Sequence, residues 1–394
     1  MKSKQFSQNE CPRLAIIGIS GYARLVLQSL LAVLETVPAK LMAATVINRE
    51  TEEAACRMLE QRGCRIFQNY ECMLDAYSGK LDLCIIPTGI PWHVEMCLKA
   101  LSAGAHVLVE KPLAGNSEGA AKIIQASAVV GRFVAVGFQS MYSPQAWAIK
   151  RFLLDGALGE IHAIRAEGSW PRDEAYYTRN AWAGRATLDG RVVNDSPLNN
   201  AFSHVANMSL FFAADQYEAC AAASLRQSHL YRFFPIETFD TAGIVLQTGS
   251  KSIDWAFTHA DEKKQNPRIF LEAEKGNLSW IYNECAMART RDHMILETWP
   301  SPSDEVSRRD MFTRVLRCVA DNTTPRCDAC FVAAHTQIVS DIIKNYSIQN
   351  PSELLLNGTV RPPRWEQVPS VLSSLRNMVR GEGAEAIPDV HRHC

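Results

Sequence analysis

The sequence predicts an α/β protein in two parts: an N-terminal doubly wound parallel sheet, then an α+β domain on a mostly antiparallel sheet. Three observations carry this expectation. Over the first 137 residues, short apolar runs alternate with helix-forming stretches, the signature of repeated strand–helix–strand units. The first run, Arg13 to Ile17, feeds a glycine turn and then a helix reaching Leu34. Beyond residue 160 the pattern changes to runs at 161–170, 218–226, 239–248, 251–258 and 269–281, spaced as antiparallel strands.

Length and composition narrow the classes of function. At 394 residues two domains are expected, because single cores rarely grow past roughly 250–300 residues. Their boundaries are placed at 1–137 and 138–350, with 351–394 as a Pro-, Gly- and charge-rich extension containing a short helix near 365–379. A net charge of -1 with mixed signs and no basic stripe argues against nucleic acid. No apolar run approaches the roughly 18–20 residues that span a bilayer, and MKSKQFSQNECPR has no apolar signal core. Twelve cysteines are scattered, with Cys84, Cys97 and Cys220 inside apolar runs. These features point to a soluble cytoplasmic protein acting on small molecules. The single Cys-x-x-Cys, Cys327 and Cys330, has no second pair at zinc-finger spacing, so no metal is expected.

Strand, glycine turn and helix in succession are the setting of a phosphate-binding fingerprint, with Gly18, Ser20, Gly21, Tyr22 and Ala23 as its residues. Helix-end amides and the helix dipole receive a pyrophosphate in such a turn. Here the usual second glycine is Ser20, with Gly21 displaced by one, and Ala23 stands in the third place.

The stretch from Leu81 to Pro112 is a second strand–helix–strand unit: Leu83 to Ile86, Trp92 to Ala103, and Val107 to Val109. A parallel crossover puts both strand ends on one sheet edge, so Thr88 and Glu110-Lys111 are expected side by side. Glu-Lys-Pro by itself reads equally as a surface turn or as part of a site. Its setting is more specific. Pro87-Thr88 with His93, then Ala100, Ala103, Gly104, His106 and Val107, then Glu110-Lys111-Pro112, resemble the Gfo/Idh/MocA family of NAD(P)-dependent oxidoreductases. The resemblance spans about residues 13–346 and is looser after the first domain. It implies that Lys111 lies between nicotinamide and substrate, and that Pro87, Thr88, His93, Glu110 and Gln139 help to hold the cofactor.

The strand from Met42 to Ile47 ends in Asn48-Arg49, where an NAD site has an acid for the adenosine ribose. An arginine attracts a 2′-phosphate. NADP(H) is therefore favoured, with NAD(H) possible. Helices near 50–62, 70–78 and 117–131, and strands at 64–67 and 133–137, complete the Rossmann-type domain.

In the second domain, Gln139 and Tyr142 follow the crossover, and Ser140-Met141 stand where the family commonly has an arginine. After a helix at 145–155, the segment 169–185 is dense in aromatic rings and arginines: Trp170, Arg172, Tyr176, Tyr177, Arg179, Trp182 and Arg185. This set suits a polyhydroxylated or carboxylated ring, and equally an arm against a neighbouring subunit. The family implies an aspartate and a histidine four apart on a helix. Asn200 and His204 stand there, which makes His204 the candidate base, with Asp195 as the nearest acid. Helices at 304–320 and 328–346 are expected to cover the second sheet, whose open face is expected to pair copies into a homodimer or homotetramer.

The resemblance thus implies hydride transfer between a nicotinamide and a secondary alcohol or ketone of a sugar, cyclitol or related compound. Lys111 would polarise the reacting oxygen and His204 would move the proton. Trp170, Arg172, Tyr177, Arg179, Trp182, Tyr142, Asp195 and Asn200 would bind substrate. Two alternatives stay open: a redox-neutral lyase or glycosidase working by transient sugar oxidation, and a cofactor-binding sensor without chemistry.

Overall fold

The computed structural model describes residues 11–349 and 371–380. They form two compact units, one running to Ser143 and joined by Ser303–Ala333, the other comprising Pro144–Pro302 and the described residues from Ala334. The first unit holds β1 (Arg13–Ile17), α1 (Tyr22–Leu34), β2 (Lys40–Thr45), α2 (Glu53–Gln61), β3 (Arg65–Phe67), α3 (Tyr70–Ala76), β4 (Leu83–Ile86), α4 (His93–Ser102), β5 (His106–Val109), α5 (Ser117–Val130) and β6 (Val134–Val136). Its sheet is parallel throughout, in the order β3-β2-β1-β4-β5-β6. Every residue of β4 and β5 is buried. Central strands with both faces covered read as unbroken apolar runs, and this is why they were legible in the sequence. The order reverses at the β1/β4 pair, so the carboxyl ends of β1 and β4 flank the switch point of a doubly wound sheet.

The second unit follows with α6 (Pro144–Leu154), β7 (Ile161–Ser169), α7 (Glu174–Thr178), a small ribbon of β8 (Thr187–Leu188) and β9 (Arg191–Val192), and α8 (Ser203–Ala213). Then come β10 (Ser224–Tyr231), β11 (Thr241–Thr248), β12 (Lys251–Thr258), β13 (Gln265–Ala273), β14 (Gly276–Ile281), β15 (Cys285–Thr290) and β16 (Ile295–Pro300); the chain returns to the first unit in α9 (Asp304–Asp321) and continues through α10 (Ala329–Asn345) to β17 (Ile348–Gln349) and α11 (Val371–Arg380) of the second. Nine strands form one sheet, ordered β16-β15-β14-β13-β7-β12-β11-β10-β17. It is mostly antiparallel, with β7 parallel to β12 and β10 parallel to β17. None of the described helices is long and apolar enough to cross a membrane.

Four expectations are corrected. The strand expected at 218–226 begins at Ser224; the alanines of 219–223 lack the branched or aromatic side chains that favour a pleated surface. The hairpin of β15 and β16 was not anticipated, since β16 is an edge strand with almost every residue exposed and no alternation to detect. Helix α9 belongs to the first unit, with Arg308 Nε donating to Ser29 Oγ of α1 at 3.3 Å. Its buried stripe of Met311, Phe312, Val315, Leu316 and Val319 announces a packed face without naming the neighbour.

The fourth correction concerns the tail, expected as a surface extension, and the sheet face, expected open. Helix α11 lies on that face, packing Val371, Leu372 and Leu375 against Tyr231 and Ala256. A Cβ on Gly243 of β11 would meet Val379 at 3.1 Å and Leu375 at 3.2 Å, so glycine sets the depth of the groove. Glu167 of β7 has no exposed surface and is bound by three arginines: Arg268 at 3.0 Å, and Arg376 and Arg380 of α11 at 2.7 and 3.2 Å. Burial pushes this carboxyl up, but the arginines outweigh it and hold it below the usual range. Breaking such a pair leaves buried charge without a counterion. Glu167→Gln should therefore lower stability by about 3–5 kcal/mol and speed proteolysis around α11. Urea denaturation and limited proteolysis check this; an unchanged urea midpoint contradicts it.

Candidate functional site

The glycine turn sits between β1 and α1 with a shape that leaves room for a ligand. Gly18 has φ +92 and Gly21 φ +60, values that side-chain-bearing residues rarely adopt. Around Gly21 nothing lies within 4 Å of where a Cβ would be. Gly21 opens α1 without a side-chain cap, so the positive end of the helix dipole faces the turn. Ala23 is buried. Ser20 donates to Asn48 Oδ1 at 3.0 Å and so ties the turn to the end of β2. Beyond it, Arg49 pairs with Glu60 at 2.7 Å.

At the neighbouring strand ends the expected adjacency is found. β4 and β5 pair in register from Leu83↔His106 to Ile86↔Val109, which brings Pro87-Thr88 beside Glu110-Lys111. Thr88 lies next to the turn, its Cγ2 3.8 Å from a Cβ built on Gly18. His93, the first residue of α4, has no exposed surface. Its Nδ1 is 2.7 Å from Pro112 O and its Nε2 3.0 Å from Thr88 O, so one ring clamps both strand ends. A neutral imidazole donates to only one of these carbonyls. Double donation needs the cation, which burial chiefly opposes, as does the charge of Lys111.

Glu110 is buried, and its carboxylate accepts the backbone N–H of Lys111 at 3.2 Å. Gly137, just past β6, makes room for it: a Cβ there would stand 3.0 Å from the Glu110 carboxyl carbon. Gln139 is buried in the following turn and donates to Asp304 Oδ1 at 3.3 Å; its own Oε1 has no hydrogen-bond partner among the described residues. Tyr142 was expected at the substrate and is not free for it, because its hydroxyl bonds Val136 O at 3.1 Å and Cys327 O at 3.0 Å. Arg308 and Asp304 were missed altogether. Both act on Tyr22, a half-exposed residue whose phenol is raised chiefly by the Glu110 charge, with Arg308 opposing through charge and a hydrogen bond. They lie more than 280 residues from Tyr22 in the chain, and no local pattern marks them.

In the second unit, Asn200 is not on the helix that carries His204. α8 begins at Ser203, and Asn200 lies in the turn before it, held by its N–H on Ser196 O at 2.9 Å and by Ser203 Oγ on its own carbonyl at 2.7 Å. Asn200 Nδ2 donates to Asp195 Oδ1 at 2.8 Å. A carboxylate only accepts, so this bond fixes the amide with its oxygen turned away. Asp195 is itself buried, its other oxygen taking Gly184 N–H at 2.7 Å and its carbonyl taking the Thr238 hydroxyl. It is placed as an anchor for Asn200.

The aromatic segment forms one continuous cluster. Trp170 stacks on Phe202 at 5.0 Å, and Phe202 on Phe257 at 4.8 Å and His259 at 5.3 Å. Gly168 permits this stack, since a Cβ there would meet the Phe202 ring at 2.9 Å. Trp170 and His204 both approach Tyr282, at 6.0 and 6.4 Å. Arg172 and Arg179 lie against the Tyr176 ring at 4.4 and 3.5 Å, and Arg179 also reaches Trp182 at 5.5 Å. Tyr177 packs on Phe234 at 5.1 Å.

A parallel sheet of this order with a glycine turn at its switch point is the setting of a dinucleotide-binding domain. Residues 12–138 match the model of the GFO_IDH_MocA oxidoreductase family, NAD-binding Rossmann fold, and this part of the chain is a Gfo/Idh/MocA domain. The dTDP-3,4-didehydro-2,6-dideoxy-alpha-D-glucose 3-reductase of Streptomyces violaceoruber is 27% identical over 186 residues, covering 47% of this chain and 52% of that protein. Inositol 2-dehydrogenase of Rubrobacter xylanophilus is 26% identical over 160 residues, covering 40% and 41%. The chain thus spans about half the length of the curated relatives it matches, or less. Among solved structures, a 3-ketoreductase from Actinomadura kijaniata with NADP and TDP-benzene superposes with TM-score 0.69 at 17% identity, covering 86% of this chain and 99% of that one. Levoglucosan dehydrogenase with NADH gives 0.71 at 14%, covering 84% and 96%. At such identities the likeness is one of fold.

The Glu110 environment has a consequence for stability. Burial pushes its carboxyl up to about 7, against the Lys111 charge, the Lys111 amide and Arg308. Folding therefore binds a proton that the unfolded chain releases near 4.5. The stabilising contribution is complete below that value and is lost as pH rises through about 7. Compared with Glu110→Gln, the wild type should lose up to about 3 kcal/mol between roughly pH 4.5 and pH 8. Denaturant titrations across that range read it, and parallel curves for the two proteins would contradict it.

Proposed function

We propose that the chain is an NAD(P)-dependent dehydrogenase or reductase of a secondary alcohol or ketone on a polyhydroxylated, sugar- or cyclitol-like compound. The observation that carries this reading is the Glu110-Lys111-Pro112 corner, clamped through His93 to the end of β4 beside the glycine turn. Gly18, Ser20, Gly21 and the start of α1 would hold the diphosphate, and Thr88, Glu110 and Gln139 the nicotinamide end. The bound nicotinamide supplies the hydride chemistry. Lys111 hydrogen-bonds the reacting oxygen and stabilises charge developing on it. His204 accepts the hydroxyl proton during oxidation and returns it during reduction. Asn200, oriented by Asp195, offers its amide oxygen to a hydroxyl or to an imidazole N–H.

His204→Ala should lower turnover by roughly 10²–10⁴-fold, the range of general acid–base catalysis, and Lys111→Met should do likewise. The measurement is reduced-nicotinamide absorbance in a screen of sugar and cyclitol alcohols. Full turnover by His204→Ala would remove its role. Turnover without net absorbance change would favour the redox-neutral lyase.

For the cofactor, we infer a preference for NADP(H). No acid stands at the end of β2, and among the described residues Arg49 is held by an exposed pair with Glu60, side chains 45% and 39% accessible. Such pairs contribute about 0–1 kcal/mol, so a 2′-phosphate can displace Glu60. Calorimetry should give tighter binding of NADP(H) than NAD(H), with Arg49→Ala costing NADP(H) about tenfold. Equal affinities in the wild type would overturn the preference.

A further inference from the structure

We propose, building on the oxidoreductase reading, that the substrate carries an anionic oxygen group, a carboxylate or a phosphate, received by Arg172 and Trp170. Two guanidinium groups, Arg172 and Arg179, lie against one ring, Tyr176. Among the described residues neither makes an ion pair with an acid, although acids are near. Asp173 uses its side chain on the Tyr176 N–H at 2.9 Å, and Asp195 uses its own on Gly184 and Asn200. His259, 5.9 Å from the Tyr176 ring, is neutral and adds no charge of its own. Burial chiefly, with both arginines adding, pushes its pKa down to about 3, while the Trp170 carbonyl opposes.

Two buried N–H groups in this cluster, Trp170 Nε1 and Arg172 Nε, have no hydrogen-bond partner among the described residues. Trp170 and Arg172 are two residues apart, and the guanidinium carbon is 6.0 Å from the indole centroid. A buried donor without an acceptor is unfavourable, and an anion within reach of both N–H groups would satisfy them and balance the Arg172 charge together. A neutral hydroxyl satisfies the hydrogen bonds alone. Trp170 and His204 both approach the Tyr282 ring, at 6.0 and 6.4 Å, so Trp170 belongs to the same aromatic cluster as the candidate base. The rival occupant is an acidic residue of a second copy in the same place.

The test is calorimetry on the cofactor-loaded protein with D-glucuronate, D-glucose 6-phosphate and D-glucose. An anionic probe should bind at least about tenfold tighter than glucose, and Arg172→Met should bring that ratio to about one. Arg172→Lys, which keeps the charge but loses the Nε donor, should lower it severalfold and serves if the methionine variant does not fold. Which of the two anions binds more tightly identifies the group. Equal binding of charged and neutral probes, no binding of either anion, or a ratio that survives in Arg172→Met overturns the proposal. So does a change confined to sedimentation, which would mark a subunit contact. Hydride transfer without anion preference removes this inference alone. Anion-selective binding without hydride transfer on any probe leaves it standing and removes the oxidoreductase reading.

Discussion

The clamp of one buried imidazole on two strand ends is the interaction on which the first unit's chemistry depends. Thr88 and Pro112 present carbonyls at the carboxyl ends of β4 and β5, where the ladder stops and backbone groups lose their sheet partners. Such groups are costly to leave unpaired when buried. His93, at the start of the crossover helix, lies 2.7 and 3.0 Å from the two and as a neutral ring donates to one of them. The consequence is positional: the residue between Glu110 and Pro112 is held by the same contacts that terminate the strands. Lysine at that place has a fixed root and a mobile amine, suited to a group that must reach a reacting atom.

The environment of Glu110 follows from the same corner. Its carboxylate is buried between the Lys111 amide and the space left by Gly137, while Arg308 arrives from α9. The first unit is therefore completed by a segment that lies, in sequence, between the two parts of the second unit. Gln139 through Asp304, and Tyr22 through Arg308, both depend on it.

In the second unit the corresponding constraint is Asp195. Its buried carboxylate binds the Gly184 amide and the Asn200 amide group, linking the end of the aromatic segment to the turn before α8. A helix carrying acid and histidine one turn apart was the family's arrangement, but this chain distributes the parts differently. The acid sits in a loop, the amide in a turn and the histidine on the first helical turn. An aspartate substituted at position 200 would face Asp195 across a hydrogen-bond distance, a like-charge contact that raises one carboxyl pKa. The departure from the family's pattern thus has a local physical partner.

What the sequence by itself determined is whatever repeats with a local period or demands a particular backbone. The parallel strands, the glycine turn and the Glu110-Lys111-Pro112 corner were legible because burial on both faces produces unbroken apolar runs, and left-handed turns select glycine. The edge strand β16 was not, since exposure erases alternation. Tertiary structure alone decided that α9 serves the first unit, that Tyr142 is spent on backbone carbonyls, and that Asn200 stands outside α8. It also decided that α11 closes a sheet face over Glu167. Each of these depends on which distant surface an amphipathic face or a polar atom meets. A stripe of apolar residues specifies that something covers it, and only the folded chain specifies what.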